Sequence, residues 1–203
     1  MLFILKKIPK YSFGLLVLAV IAIASIIHVF GNFYQVSDGV YRSGQLNKYN
    51  LEYYVQKHNI KTIINLRGES TNDYYIDQIN IAKKHGVNNI NYPLSNSDFL
   101  DFDQTSKIVN MLKNTKKPLL IHCAGGADRT SLVSALYQFG VSKQSVDVAK
   151  EEFSFIYGHV PSIREHVIAM SDSFDNYVKV IKKNGKKNTT IDSVANKKKR
   201  ENQ

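Results

Sequence analysis

Residues 119–130, LLIHCAGGADRT, constrain the chain most, because an apolar strand, a glycine-containing turn and a helix start follow one another there. In such a turn the backbone N–H groups converge at a helix N-terminus, where an anion is stabilised. Cys123 ends the predicted strand and Arg129 starts the predicted helix. We therefore expect both side chains to face one anion-binding concavity.

The residue types in this run suit phosphoryl chemistry. Amide dipoles and the Arg129 guanidinium favour the ionised thiolate of Cys123, which is the nucleophilic form of cysteine. Arg129 offers a planar fork of donors for two phosphoryl oxygens, which a lysine would lack. Small residues allow the backbone to approach the anion closely. The predicted phosphate-binding segment consists of Ala124, Gly125, Gly126, Ala127, Asp128 and Arg129.

His122, Cys123, Gly126, Arg129 and Thr130 form a His-Cys-x-x-Gly-x-x-Arg-Thr pattern that resembles the signature of the protein tyrosine phosphatase superfamily. The resemblance implies a phosphoric monoester hydrolase in which Cys123 forms a phosphocysteine intermediate and Arg129 binds substrate and transition state. It also implies that His122 orients the loop and tunes the thiolate. Thr130 is expected to hydrogen-bond the sulfur and to assist breakdown of the intermediate.

The resemblance further implies a general acid, usually an Asp on a loop upstream of the Cys. Asp98, Asp101 and Asp103 all lie in the expected stretch, YPLSNSDFLDFD. Asp101 has the position of an N-cap for the following helix, because an apolar helical pattern begins directly after it. We therefore predict that Asp98 is the general acid, with Asp101 as the alternative.

The resemblance covers about residues 34–181 and is that of a compact bacterial branch with a dual-specificity-type fold. It includes the runs VYRSGQ at 40–45, IINLR at 63–67 and YGH at 157–159. Ordinary salt-bridge or capping roles are the competing interpretation of the charged residues in these runs, which are Arg42, Arg67 and His159.

The sequence departs from the family pattern at two positions. Ser131 stands where many relatives have Gly, and Asp128 places a carboxylate inside the phosphate loop, as a structural pair or as a moderator of its positive field. Phosphoinositide-directed relatives often carry Lys at the positions of Ala124 and Ala127. The expected substrate is therefore protein phosphotyrosine, with dual specificity as an extension. A phosphoinositide or small phosphoester is the second alternative. A binding module without turnover is the third alternative.

Short β-rich runs alternate with longer helical ones from Gln35 onward. The patterns predict strands at 62–66, 87–92 and 119–122 and helices at 73–85, 101–113, 129–139, 145–157 and 162–181. This order predicts an α/β fold with a central, mostly parallel sheet flanked by helices. The phosphatase domain is assigned to residues 31–183, and the polar residues 184–203 are predicted to be a disordered basic tail.

The chain has 203 residues and a formal net charge of +10. The charge belongs to the ends, because residues 1–12 carry +3 and residues 182–203 carry +6, which leaves +1 between them. This distribution argues against a nucleic-acid-binding surface on the folded domain. Cys123 is the only cysteine, so disulfides and cysteine-rich metal sites are excluded within one chain. Neither a metal nor an organic cofactor is expected, because the thiolate and the guanidinium perform the chemistry.

Residues 13–30, FGLLVLAVIAIASIIHVF, form an apolar run without acidic residues, Lys, Arg or Pro. As a helix the run would span roughly 27 Å, which approaches the thickness of a bilayer core. A transmembrane anchor is favoured over a signal peptide cleaved after Ala22-Ile23-Ala24 and over a buried helix. Lys6, Lys7 and Lys10 then predict a cytoplasmic N-terminus, 1–12, and an inner-membrane protein with its catalytic domain on the non-cytoplasmic side.

Overall fold

The computed structural model describes residues 14–15, 17–18 and 30–201, with residues 186–201 described by their backbone alone. Its strands are β1 (Tyr34–Ser37), β2 (Val40–Ser43), β3 (Thr62–Asn65), β4 (Asn88–Asn91) and β5 (Leu119–His122). They form one sheet in the order β1-β2-β5-β3-β4. β1 pairs with β2 antiparallel, and the other three pairings are parallel. The architecture is a mixed β-sheet flanked by helices, which fits the predicted α/β fold class.

The helices begin and end at recognisable signals. Asn47 accepts hydrogen bonds from two amides at the start of the first helix, and left-handed Gly86 ends the second. Asp101 forms a capping box with Gln104 at the start of the third. The helices are α1 (Lys48–Lys57), α2 (Asp73–His85), α3 (Phe102–Asn114), α4 (Asp128–Leu136), α5 (Val146–Lys150) and α6 (Ile168–Glu201).

The central strand β5 is buried on both faces, and its residues alternate between two apolar clusters. Leu119 and Ile121 belong to the larger cluster with residues of α3, α4 and α6. Leu120 belongs to the smaller one, with residues of α1 and α2. The sheet is therefore the middle layer of three, and a strand in that position needs apolar residues throughout.

The carboxyl ends of β3, β4 and β5 are in register, because Asn65 lies opposite both His122 and Asn91. The chain continues from these ends into loops that contain Cys123, Leu66 and Leu94. Ligands of open α/β sheets bind outside the carboxyl ends of parallel strands. This edge is where the sequence predicts the phosphate loop.

The last third of the chain differs from the predicted helices. Helix 145–157 is split, because Ser154 adopts an extended conformation and caps a new 3₁₀ turn, and left-handed Gly158 ends that turn. The helix predicted from residue 162 begins at Ile168, and it continues to Glu201 through the tail that was predicted to be disordered. No proline or glycine after Gly185 interrupts this backbone.

The predicted membrane anchor requires correction. In residues 14–15, 17–18 and 30–201, no helix combines the length and the apolar character that crossing a membrane requires. The long helix α6 carries charged residues along its length. The predicted transmembrane helix over 13–30, the membrane contact through it and the inner-membrane location therefore have no support in the structure. Most of the 13–30 run lies outside the described residues.

Candidate active site

The phosphate loop connects the end of β5 to the start of α4 and lies against the end of β2. Gly126 has a φ of +72°, and a Cβ atom there would come within 2.5 Å of the Gly44 nitrogen. The amide of Gln45 donates to the Ala124 carbonyl at 2.8 Å. The loop conformation thus requires glycine at position 126 and is fixed by direct backbone contact with the chain after β2.

Cys123 lies at the carboxyl end of β5 with 4% of its surface exposed. It is a free thiol, and it adjoins the larger apolar cluster. The neighbouring residues Ala124 and Gly125 are exposed, so the loop opens to solvent directly after the sulfur-bearing residue. This geometry presents the sulfur at the floor of a loop rather than at the surface.

Arg129 is half-buried at the first turn of α4. Its Nη1 donates to the carbonyls of Leu66 and Leu94, each at 3.1 Å. These carbonyls follow β3 and β4, so the guanidinium lies across the same sheet edge as Cys123. Cys123 and Arg129 therefore lie at the same edge of the sheet, and backbone groups fix the arginine.

Arg42 is fully buried and contacts the backbone of the phosphate loop. Its Nη2 donates to the Gly126 carbonyl at 2.7 Å and to the Ser131 hydroxyl at 2.9 Å. Its Nη1 forms an ion pair with Glu152, and its guanidinium lies 3.9 Å from the ring centroid of Tyr157. Ser131, which replaces the family's Gly, is thus a partner of Arg42.

Asp128 is buried, and its carboxylate contacts two side chains from outside the loop. The Nδ1 atom of His159 lies 2.9 Å from Oδ1, and Nη1 of Arg164 donates to Oδ2 at 3.1 Å. Asn32 forms a third connection between the loop and this segment. Its Nδ2 donates to the carbonyls of Gly125 and Tyr157, both at 2.9 Å. The segment 152–164 therefore braces the phosphate loop.

His122, which precedes Cys123 in the chain, and Thr130 are both buried. Burial, above all other causes, lowers the pKa of His122 to about 4. Its imidazole is therefore neutral at pH 7, and its Nδ1 lies 3.4 Å from the Cys123 carbonyl. The Thr130 hydroxyl has no hydrogen-bond partner within the described part of the chain, so the predicted bond to sulfur is not formed here.

The structure separates the three candidate aspartates. Asp101 caps α3, since its side chain accepts from the Gln104 amide at 2.8 Å, and Asp103 is exposed in the first turn of that helix. Asp98 lies on an exposed loop after β4 and lines a cleft of about 350 Å³ together with Leu94 and Lys107. Leu94 is the residue whose carbonyl binds Arg129. Asp98 thus stays the predicted acid.

The sequence interpretation missed the roles of several polar residues. Arg42, Arg67 and His159 were compatible with ordinary salt bridges, yet Arg42 and His159 contact the phosphate loop itself. Arg164 was not singled out. The available signal was Asp128, because a carboxylate inside an anion-binding loop requires a cationic partner. Among residues 30–185, no group of three or more His, Cys, Asp or Glu is arranged to hold a metal ion.

A family model described as a DSP-PTPase phosphatase fused to NAD+ kinase matches residues 33–169. The chain belongs to this DSP-PTPase family. Its predicted membership of the cysteine-based phosphatases is therefore confirmed, and the protein is a protein-tyrosine-phosphatase-like phosphoric monoester hydrolase. No curated protein matches the sequence of this DSP-PTPase.

Solved structures share the DSP-PTPase fold at low sequence identity. The catalytic core of the PP-IP phosphatase Siw14 from S. cerevisiae has a TM-score of 0.57 and 19% identity, covering 76% of this chain and 93% of its own. TpbA from P. aeruginosa, in complex with phosphotyrosine, has a TM-score of 0.55 and 20% identity, covering 70% and 82%. A putative phosphatase from Shewanella putrefaciens has a TM-score of 0.54 and 16% identity, covering 73% and 94%.

Proposed function

We propose that this DSP-PTPase hydrolyses protein phosphotyrosine, with dual specificity toward other phosphorylated side chains, through a phosphocysteine intermediate. The observation that supports this most is the charge of the phosphate loop. Arg129 is the single cationic residue in the loop CAGGADR, and the carboxylate of Asp128 is already engaged by His159 and Arg164. Such a loop suits one phosphoryl group rather than a cluster of several.

In the first step, the Cys123 thiolate attacks phosphorus, a sulfur–phosphorus bond forms, and the bond from phosphorus to the leaving oxygen breaks. Asp98 in its protonated form donates a proton to that oxygen. The Arg129 guanidinium and the backbone amides of 124–129 bind the three remaining oxygens. These hydrogen bonds strengthen as negative charge develops on the oxygens.

In the second step, ionised Asp98 accepts a proton from water, whose oxygen attacks phosphorus and displaces the Cys123 thiolate. The products are inorganic phosphate and free enzyme. His122 orients the loop through the Cys123 carbonyl, and being neutral at pH 7 it contributes a dipole rather than a full charge. The unpartnered Thr130 hydroxyl is available to the thiolate that is expelled.

Proteins with this fold include TpbA, solved with phosphotyrosine, and Siw14, named a PP-IP phosphatase. The fold is thus shared by proteins of different substrate classes. The absence of a charged side chain at Ala124 and Ala127 favours the single ester for this chain.

The test is phosphate release by the full chain from phosphotyrosine and phosphoserine peptides and from a phosphoinositide, with chelator present throughout. Cys123→Ser is the matched control. We expect turnover in chelator, highest with phosphotyrosine and abolished in the variant. Preference for the phosphoinositide would move the assignment to a lipid or small phosphoester. Tight binding without turnover would identify a binding module.

A further inference from the structure

Arg67 directly follows a residue whose two backbone groups belong to the active site. The Leu66 amide donates to the His122 carbonyl at 2.9 Å, and the Leu66 carbonyl accepts from Arg129 at 3.1 Å. Arg67 is therefore next in the chain to a group that the catalytic arginine contacts. Its side chain is only partly buried.

The Arg67 side chain is held in place by two uncharged partners. Its Nη1 donates to the Gln45 side chain at 3.1 Å, and its guanidinium lies 3.9 Å from the ring centroid of Tyr74. The backbone amide of Gln45 donates to the carbonyl of Ala124, the residue after the nucleophile. The side chain of Arg67 is thus linked to the phosphate loop through one residue.

The turn that presents Arg67 is also fixed. The Asn65 side chain accepts from the Arg67 amide at 2.9 Å and donates to the Gly68 carbonyl at 2.8 Å. Gly68 has a φ of +82° and a Cβ there would contact Pro93 at 3.1 Å, so the turn is held in a conformation that other residues rarely adopt. An arginine ordered before its ligand arrives loses less entropy on binding.

The charge of Arg67 is not offset locally. Arg42 and Arg164 are each in an ion pair, with Glu152 and Asp128 respectively. Within residues 30–185, no carboxylate lies within 4.0 Å of Arg67, whose side-chain partners are an amide and a phenol ring. Its charge also acts on the site, because after burial it is among the causes that lower the pKa of His122.

We propose that Arg67 is a specificity-determining residue that binds a second anionic group of the substrate, beside the phosphate that is hydrolysed. Gln45 and Tyr74 position its guanidinium for this contact. The proposal rests on the proposed phosphatase function and specifies its substrates further. The second anion is either a carboxylate flanking the phosphorylated residue of a peptide or a second phosphate on a small ester.

The experiment compares full-length wild type with Arg67→Gln, which removes the charge and leaves an amide that can still donate a hydrogen bond. Two substrate pairs are used: a phosphotyrosine peptide flanked by Glu or by Gln, and a small aryl phosphate with or without a second phosphate. Lys83→Gln is the matched control, because Lys83 is exposed on α2 and its loss lowers the net charge equally. The same pairs are also measured by equilibrium binding in the Cys123→Ser background, which requires no turnover.

Wild type should prefer the doubly anionic member of one pair, and Arg67→Gln should lower that preference about tenfold, mainly through KM, as expected for loss of one charge-assisted contact. The pair that responds identifies the source of the anion. Equal losses on both members, no preference in wild type, or the same loss in Lys83→Gln would overturn the proposal. Failure to hydrolyse either peptide would refute the phosphotyrosine assignment alone, since the aryl pair and the binding ratios still test Arg67.

Discussion

The Oδ1 atom of Asp128, inside the phosphate loop, lies 2.9 Å from Nδ1 of His159 on the segment that follows α5. Arg164 contacts the other carboxylate oxygen at 3.1 Å. A carboxylate in an anion-binding loop would repel the phosphate if no positive charge or hydrogen-bond donor offset it. Like charges a few ångströms apart weaken binding. The segment after α5 therefore places two side chains against the carboxylate of Asp128 from outside the loop.

Replacement of His159 by Leu should weaken phosphate binding. Asp128 would then depend on Arg164 alone, and the loss of one buried hydrogen bond corresponds to about tenfold in the KM for a phosphotyrosine substrate. His159→Gln, which can still donate to Oδ1, should recover most of that loss. Steady-state kinetics of both variants check this prediction. Equal KM values for His159→Leu and wild type would show that the contact only supports the fold.

The sequence predicted the strand before Cys123 and the start of the helix at Asp128 to within one residue, because a strand, a glycine turn and a helix are local features. The partners of Asp128 could not be predicted, since His159 and Arg164 are separated from it by 31 and 36 residues. Their contact depends on the irregular turns after α5, and no helical or strand periodicity marks such turns.

Arg42→Met should destabilise the protein by about 3–5 kcal/mol, because it leaves Glu152 buried and unpaired. Burial raises the pKa of Glu152, against the opposing effect of Arg42. A folded-state pKa above the unfolded value costs stability as pH rises, so the variant should lose more relative to wild type at pH 8 than at pH 5. Urea unfolding at both pH values measures this.

The matched control for that experiment is the double variant Arg42→Met with Glu152→Gln, in which neither charge of this buried pair remains. It should be more stable than Arg42→Met at pH 8, although the hydrogen bonds to Gly126 and Ser131 are still lost. A double variant less stable than the single one would contradict the view that the unpaired carboxylate causes most of the loss.

Asp98→Asn should lower kcat for a phosphotyrosine peptide by about 100-fold or more, which is the usual contribution of a general acid. Asp101→Asn should leave kcat close to that of wild type, since its position at the start of α3 is a capping one and asparagine also caps well. Rates with an aryl ester whose leaving group needs no proton should fall much less in Asp98→Asn. A 100-fold loss in Asp101→Asn instead would reverse the assignment.

The sequence did not predict the strands β1 and β2 at one edge of the sheet or the helix α1. β1 and β2 are four-residue strands, and the register between them shifts between Gln35 and Ser37, which interrupts the alternation that reveals strands. The buried strand β5 and the amphipathic helix α2 were predicted at their observed bounds. The long apolar run before residue 31 was interpreted by length and hydropathy alone, and the described residues contain no helix that could span a membrane.

The burial of His122 should make the protein sensitive to acid. Its pKa is lowered from 6.5 to about 4 in the folded state, so above pH 6.5 the imidazole is neutral in both states and contributes no pH dependence. As pH falls below 6.5 the unfolded chain binds the proton first, and stability declines by about 3 kcal/mol by pH 4.

The test is the free energy of unfolding of wild type and His122→Asn between pH 7.5 and 4.5. The difference between them should shrink by about 2–3 kcal/mol toward the acidic end, because the variant lacks the titrating group. His166→Asn, which replaces an exposed imidazole, controls for removal of a histidine as such. A constant difference across this range would mean that the pKa of His122 is the same in the folded and unfolded states. A difference that grows toward the acidic end would mean that the folded protein raises this pKa, and His122 would then supply positive charge to the Cys123 thiolate.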